Sequence, residues 1–486
     1  MLLKTLLATL VVVPGALAFF RLPCDNVLVH ERADPIVSPG SAAGHAHTIS
    51  GGSGFSLNST YDDLRASECT SCRAKADLSA YWTPQLYLEF ANGTFTSVEQ
   101  VGGGLIYYLY RTHPTDKTKL LAFPKGLKML VGDPMRRTYN ESSPVDQAIG
   151  WNCLGGSQPT RKPELPSENC PNGLRGEIRF PSCWNGVDLY KTDQSHMSYP
   201  IGGEAGPCPD SHPKRIITLF YEIMWSIDPL AKAGYFDLAK NPKSPFVLAN
   251  GDPTGYGYHG DFQNGWDVDI LQQAADICTN DSGGIEDCPV LELYERTTEG
   301  YCRKTPDVDE VVLGNLDSLP GCNPVTKTAA KAKKGMSSCP NLVTPALLGP
   351  STAYTGKYPP PGATGLRSDP LTVTSSNGYK YQGCYLGGSD RGWSKQLSLT
   401  KKTVKECLSK AKAEGYTYVG IEYGGECWVG TSLAPSTKEI DYGKCDMTCR
   451  DEPNRVCGGP AAMTLYKLAS PARARSRRHQ RASHHT

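Results

Sequence analysis

The sequence has almost no net charge, with 50 Lys and Arg against 49 Asp and Glu in 486 residues. A formal charge of +1 gives no overall pull toward nucleic acid or an anionic membrane surface. After the first eighteen residues, no apolar run approaches the roughly 18 to 20 residues of a membrane span, so no span is expected in the mature chain. The C-terminus is basic rather than hydrophobic, which argues against a lipid-anchor signal. No G-x-S-x-G elbow is present, which counts against a serine hydrolase triad. Cys69-Thr70-Ser71-Cys72 has no second CxxC to complete a four-thiolate zinc site. Gly102-Gly103-Gly104 lacks the strand-to-helix setting of a dinucleotide fold and reads as a tight turn.

What is present points outside the cell. Lys4, the apolar run Leu6 to Val13 and Ala16-Leu17-Ala18 before Phe19 form the pattern of a secretory signal peptide over residues 1–18. The eighteen cysteines, an even number, are then expected as disulfides. N-glycans are expected at the sequons of Asn58, Asn92, Asn140 and Asn280.

Residues 19–322 hold short segments rich in aromatic and β-branched residues between Gly, Pro, Asn and Asp. Gln85 to Phe90, Leu105 to Arg111, Leu127 to Val131, Glu177 to Phe180, Ile216 to Ser226 and Phe246 to Leu248 read as strands. The fold class expected is mainly β, a disulfide-rich sandwich or jelly roll. One helix is expected between Trp266 and Cys278, with Val268, Ile270, Leu271, Ala274 and Ala275 on one face. Residues 323–377 shift to Lys, Ala, Thr, Ser, Pro and Gly and read as a linker. Residues 378–468 form a second, small α+β domain with a helix over Thr400 to Ala413, and residues 469–486 a basic disordered tail.

The second domain carries Tyr381-Gln382-Gly383-Cys384-Tyr385, Cys407, Gly415-Tyr416-Thr417-Tyr418-Val419-Gly420, Tyr423-Gly424-Gly425-Glu426-Cys427, Cys445, Cys449 and Cys457-Gly458-Gly459. In these residues it resembles the WSC domain. The usual family pattern has eight cysteines; Ala411 and Val429 stand at two of those places here, which implies three bridges. The resemblance also implies glycan binding, for which Trp393, Tyr416, Tyr423 and Trp428 offer stacking faces. The first domain resembles a secreted fungal family of unknown function. The matching stretches include Arg32 to Gly40, His45-Ala46-His47, Asp77 to Pro84, Arg179 to Gly186, Ser195 to Pro200 and Gly251 to Phe262. That resemblance implies a secreted fungal product and carries no activity with it.

The candidate site is built on Gly44-His45-Ala46-His47, where a spacing of two puts both imidazoles on one face of an extended segment. His196 and His259 occur in similar loop-like surroundings and, with Asp261, complete the candidate catalytic set. His45, His47 and His259 are the candidate ligands of a divalent metal ion. Asp193, Asp252 and Asp267 are candidates to orient an imidazole. Three chemistries remain open: metal-activated water or oxygen, a His/Tyr lyase using Tyr199, Tyr256 or Tyr258, and a carboxylate pair among Asp62, Asp63, Asp77, Asp193, Glu222, Asp252 and Asp261. The expected function is that of a secreted protein associated with cell-wall or other extracellular polysaccharide, either carbohydrate-active or a non-catalytic wall-binding protein.

Overall fold

The computed structural model describes residues 19–157, 161–232, 234–295, 301–328, 344–355, 375–440, 445 and 447–469. The expected signal peptide, and the expected basic tail after its first residue, lie outside these residues. The chain forms two compact units, residues 1–369 and 370–486.

Ten strands build the two main sheets of the first unit: β1 (Phe19–Cys24), β2 (Val29–Glu31), β3 (His47–Gly51), β4 (Ala80–Pro84), β5 (Glu99–Leu109), β6 (Lys128–Val131), β7 (Ile149–Cys153), β8 (Leu174–Arg179), β9 (Thr218–Ser226) and β10 (Gly260–Gln263). One sheet has the order β1-β5-β9-β8-β7 and the other β2-β3-β4-β10-β6. All pairings in both are antiparallel. Period-two alternation explains why these segments are strands: in β9, Leu219, Tyr221, Ile223 and Trp225 are buried while Phe220, Glu222, Met224 and Ser226 are half-buried. The buried side chains of the first sheet share one core with Tyr81, Met129, Val131 and Phe262 of the second, giving a sandwich. Each large side chain in this layer contributes on the order of 2–3 kcal/mol of burial.

The second sheet is buried on its other face too. Val29, Ile49 and Trp82 there pack with Ala33, Ile36, Phe55, Leu64 and Cys302 from the loops, short helix and short strand that cover it. This loop-covered face carries the candidate site.

Helix Val268–Ile277 forms as expected, capped by Asp267, whose carboxylate accepts from the N–H groups of Asp269 and Ile270, and it buries Leu271 and Ala274. Cys69 and Cys72 do not pair with each other: Cys72 bonds Cys24, and Cys69 bonds Cys302. Bridges Cys153–Cys170, Cys183–Cys208 and Cys278–Cys288 close local loops. Part of the stretch expected as a linker is ordered instead, since Ala353–Thr355 pairs with Cys302–Lys304 of the first unit. The main-chain groups at that sheet edge found a partner that composition did not announce.

In the second unit, a six-stranded sheet carries helix Val404–Ala413 on one face. Val404, Cys407, Leu408 and Ala411 of the helix meet Val419, Ile421, Cys427 and Val429 of the sheet. The implied three bridges are Cys384–Cys445, Cys407–Cys427 and Cys449–Cys457. Ala411 and Val429 are both buried in this core, so apolar packing occupies the place of a fourth bridge.

Candidate functional site

His47 opens β3, and its register sets it beside Glu31 of β2 and Pro84 of β4. Asp261 of β10 pairs with Trp82, so continuing that antiparallel register brings His259 opposite Pro84. His47 and His259 thus stand on one face, two strands apart, with the short Pro84 between them. That separation is roughly 10 Å between main chains, which two imidazoles can bridge. His45, two residues before His47, projects to the same side.

The three rings meet. Centroids are 4.4 Å apart for His45 and His47, 4.9 Å for His45 and His259, and 5.7 Å for His47 and His259. One nitrogen from each ring lies within 4.8 Å of the others. His47 donates its Nδ1–H to the carbonyl of Ala33 at 3.0 Å, and His259 donates its Nδ1–H to the carbonyl of Gly257 at 3.0 Å. Both tautomers are therefore fixed with the Nε2 lone pair turned inward. His47 Nε2 is buried without a hydrogen-bond partner, and His259 Nε2 faces His45 Nε2 at 3.0 Å. Burial drives the His47 pKa down to about 3. Burial and then the neighbouring His47 drive His259 down to about 4. Both rings are neutral across the physiological range, as metal ligation requires.

A loop rich in turn formers holds His259. Asp252 Oδ2 accepts from Gly257 N at 2.6 Å, and Asn250 Nδ2 donates to Gly257 O at 2.8 Å, the carbonyl that also receives His259. Asp252 therefore positions the imidazole through the main chain of Gly257. On the other side, Gly132 (φ +99°) leaves no room for a side chain: a Cβ there would lie 2.9 Å from His259 Cβ. Gly132 also borders a groove of about 550 Å3 lined by Met129, Leu130, Met197, Tyr199 and Ile201 among others.

Asp261 shares the face of the cluster. Its carboxylate is fully buried, neither oxygen has a hydrogen-bond partner, and Oδ2 is 4.0 Å from His259 Nε2. Burial, then the nearby Asp34, raises its pKa well above the usual range. His196 stands apart from the three. It is buried, donates from Nε2 to the carbonyl of Lys128 at 2.8 Å and accepts from Lys191 N at Nδ1, so both its ring nitrogens are spent on loop structure.

The other candidates are dispersed. Asp267 caps its helix, Asp193 is bonded by Ser195 N, and Asp63 makes a capping box with Thr60. Asp77 is buried under the Tyr81 hydroxyl, and Glu222 is held by Tyr107 and Arg175. Tyr258 is buried against Trp151, and the Tyr199 hydroxyl donates to Arg179 O. None of these was placed on the histidine cluster.

In the second unit, Trp428 lies on the sheet face turned away from the helix, with the Arg391 guanidinium 3.3 Å above its ring and bonded to buried Glu422. Trp393 lies flat over Gly420 and Gly430, where any added Cβ would meet the indole, and donates to Ser432 O. Tyr418 shares this face by register, with Lys467 over its ring; strand alternation was the signal that could have found it. Tyr416 instead packs toward the core, and Tyr423 sits in a turn at φ 47°.

Two family models match. Residues 34–266 match the domain of unknown function DUF1996, and residues 381–459 match the WSC domain. Among curated proteins, the chain is 33% identical over 94 residues to cell wall integrity and stress response component 2 of Saccharomyces cerevisiae, covering 18% of each. It is 30% identical over 96 residues to a WSC domain-containing protein of Arthroderma benhamiae, covering 18% of this chain and 10% of that one. It is 29% identical over 89 residues to xylosyltransferase oxt of Drosophila melanogaster, 18% of this chain and 10% of that one. The chain spans less than half the length of the curated relatives it matches. The protein thus carries a DUF1996 domain followed by a WSC domain.

Proposed function

We propose that this is a secreted protein of the cell wall or another extracellular polysaccharide, which holds glycan through its WSC domain and a divalent transition metal on His45, His47 and His259. The observation that carries the metal reading is the pinning of both buried imidazoles by backbone carbonyls, which leaves their Nε2 lone pairs facing one point with His45 alongside. Backbone acceptors of this kind commonly fix the tautomer of metal-bound histidines. In a tetrahedral site with bonds of about 2.0–2.1 Å, donor atoms stand roughly 3.3 Å apart, a spacing this cluster reaches with small ring movements. Three neutral imidazoles suit zinc, copper, iron or nickel and not magnesium or calcium. Three protein ligands with one position left over is also the composition of metal sites that activate water, here for cleavage of a bond in the polysaccharide. The glycan reading rests on the WSC match and on the Trp393, Trp428 and Tyr418 face.

The burial of His47 and His259 favours a second reading, in which the ion only staples the loops of a binding protein. Metal analysis of the purified protein after loading and dialysis tests the shared premise. About one ion per chain is expected in the wild type and far less in His47→Ala and His259→Ala; a wild type that retains no metal sinks both readings. Cleavage assays on wall polysaccharides then separate the two.

A further inference from the structure

The face that carries the three histidines holds one more polar group without a partner, and it is a carboxyl group. Both oxygens of Asp261 are buried and unbonded. Its backbone is fixed between Trp82 and Leu130, and its carbonyl accepts from the Tyr221 hydroxyl across the sandwich at 2.9 Å. The side chain therefore has a settled origin, and an ionisable group in so dry a place needs a partner.

Asp261 is near the cluster but outside it. Its Oδ2 is 4.0 Å from His259 Nε2, and it does not join the set of donors that lie within 4.8 Å of one another. A carboxylate bound directly to the ion would sit about 2.0–2.2 Å from it. One that accepts a hydrogen bond from a metal-bound oxygen stands roughly 4 Å away, the sum of a bond near 2.1 Å and a bent hydrogen bond near 2.7 Å. Donor atoms of one tetrahedral shell stand roughly 3.3 Å apart, so an oxygen 4.0 Å from His259 Nε2 and outside the three-donor set lies beyond the ion's own shell, in reach of an oxygen bound to the ion.

We propose that Asp261 is a positioning residue that receives the hydrogen bond of an exchangeable oxygen ligand in the fourth position of the ion, water at rest and a hydroxyl of the substrate class in turn. The inference rests on the three-histidine metal reading. It makes the site an open one, distinguishes it from a closed structural staple, and assigns selectivity for hydrogen-bond-donating ligands over bare anions, which have no proton to give it. Of the three histidines only His45 is partly exposed, so it is the point at which the cluster comes nearest to solvent.

Cobalt(II) loaded into the full-length protein gives visible bands that report its coordination. Sodium azide titrated into the wild type is expected to change those bands with a 1:1 isotherm. Asp261→Asn is expected to keep one cobalt per chain and to bind azide roughly ten-fold or more tightly, because its amide can donate a hydrogen bond to the anion where a side chain placed to accept one cannot. Asp261→Glu, which keeps a carboxyl acceptor, should resemble the wild type. A wild type blind to azide, or an Asp261→Asn protein with unchanged azide affinity, overturns the proposal. So does a resting cobalt spectrum that changes sharply in Asp261→Asn, which would make Asp261 a direct ligand. Failure of the wild type to bind cobalt at all instead defeats the three-histidine reading beneath it.

Discussion

Removing His47 should abolish a metal-dependent gain in stability, and the size of that gain can be worked out. A ligand that binds only the folded state adds RT ln(1 + [L]/Kd), about 2.7 kcal/mol at a hundred-fold excess over Kd. For a unit of this size, 1 kcal/mol moves the midpoint by roughly 2 °C, so the transition of the first unit should rise by about 5 °C. The second unit has its own core and no part in the cluster, and its transition should stay in place. In His47→Ala, the Ala33 carbonyl loses its donor at a cost of about 1 kcal/mol, but a buried Nε2 without a partner is also removed. The apo variant is thus the proper baseline, and its rise with metal should stay below about 1 °C. Calorimetry of chelator-stripped protein, with and without zinc, measures all four quantities. Equal shifts in wild type and His47→Ala would place the metal elsewhere and refute the reasoning.

Three further outcomes follow from named contacts. His196→Ala should lower stability by about 2–4 kcal/mol in denaturant titrations, since it empties a buried site and breaks bonds to Lys128 and Lys191, while metal stoichiometry stays at the wild-type value; loss of metal would return His196 to the site. Burial raises Asp77 to about 6, so the folded protein holds that proton longer than the unfolded chain and stability from this group falls as pH rises from about 4 to 6. Asp77→Asn removes the proton, and its stability relative to wild type should therefore climb by about 3 kcal/mol over that window; a pH-independent difference contradicts the assignment. Trp428→Ala should weaken retention on fungal wall glycan about ten-fold or more, whereas Tyr416→Ala, whose ring packs on the core, should mainly cost stability. Equal binding losses in both would reject the outer sheet face as the glycan surface.

Much of the fold was legible because it depends on short-range pattern. Alternation marked β9 and β6, and the 3.6-residue repeat marked both main helices, Val268–Ile277 and Val404–Ala413. Pairing was not legible, because it is set by contacts between residues far apart in the chain. Cys69 and Cys72 are three residues apart, yet they bond partners 233 and 48 residues away. The same limit explains why His196 and His259 looked alike. Both sit among Gly, Ser and Tyr, and only the placement of β10 beside β4 carries His259 to His47, while His196 is turned to the outer edge of β6.

The residues that settle that difference are polar and buried, and this bears on what the first domain is for. Asn250, Asp252 and Arg137 are all buried within the loop system that presents the Gly257 carbonyl to His259. A core built for stability alone would fill this space with apolar side chains, since buried charges bring a desolvation cost that their pairing only partly offsets. Here the arrangement yields one imidazole with a fixed tautomer, next to a second fixed in the same way and a carboxylate without a partner. Such a conflict with the rules of core packing is expected where a site must be held ready for something not supplied by the chain itself. The histidine cluster therefore reads as the reason for the polar loop, and the polar loop as the reason a three-strand span can be closed by two side chains.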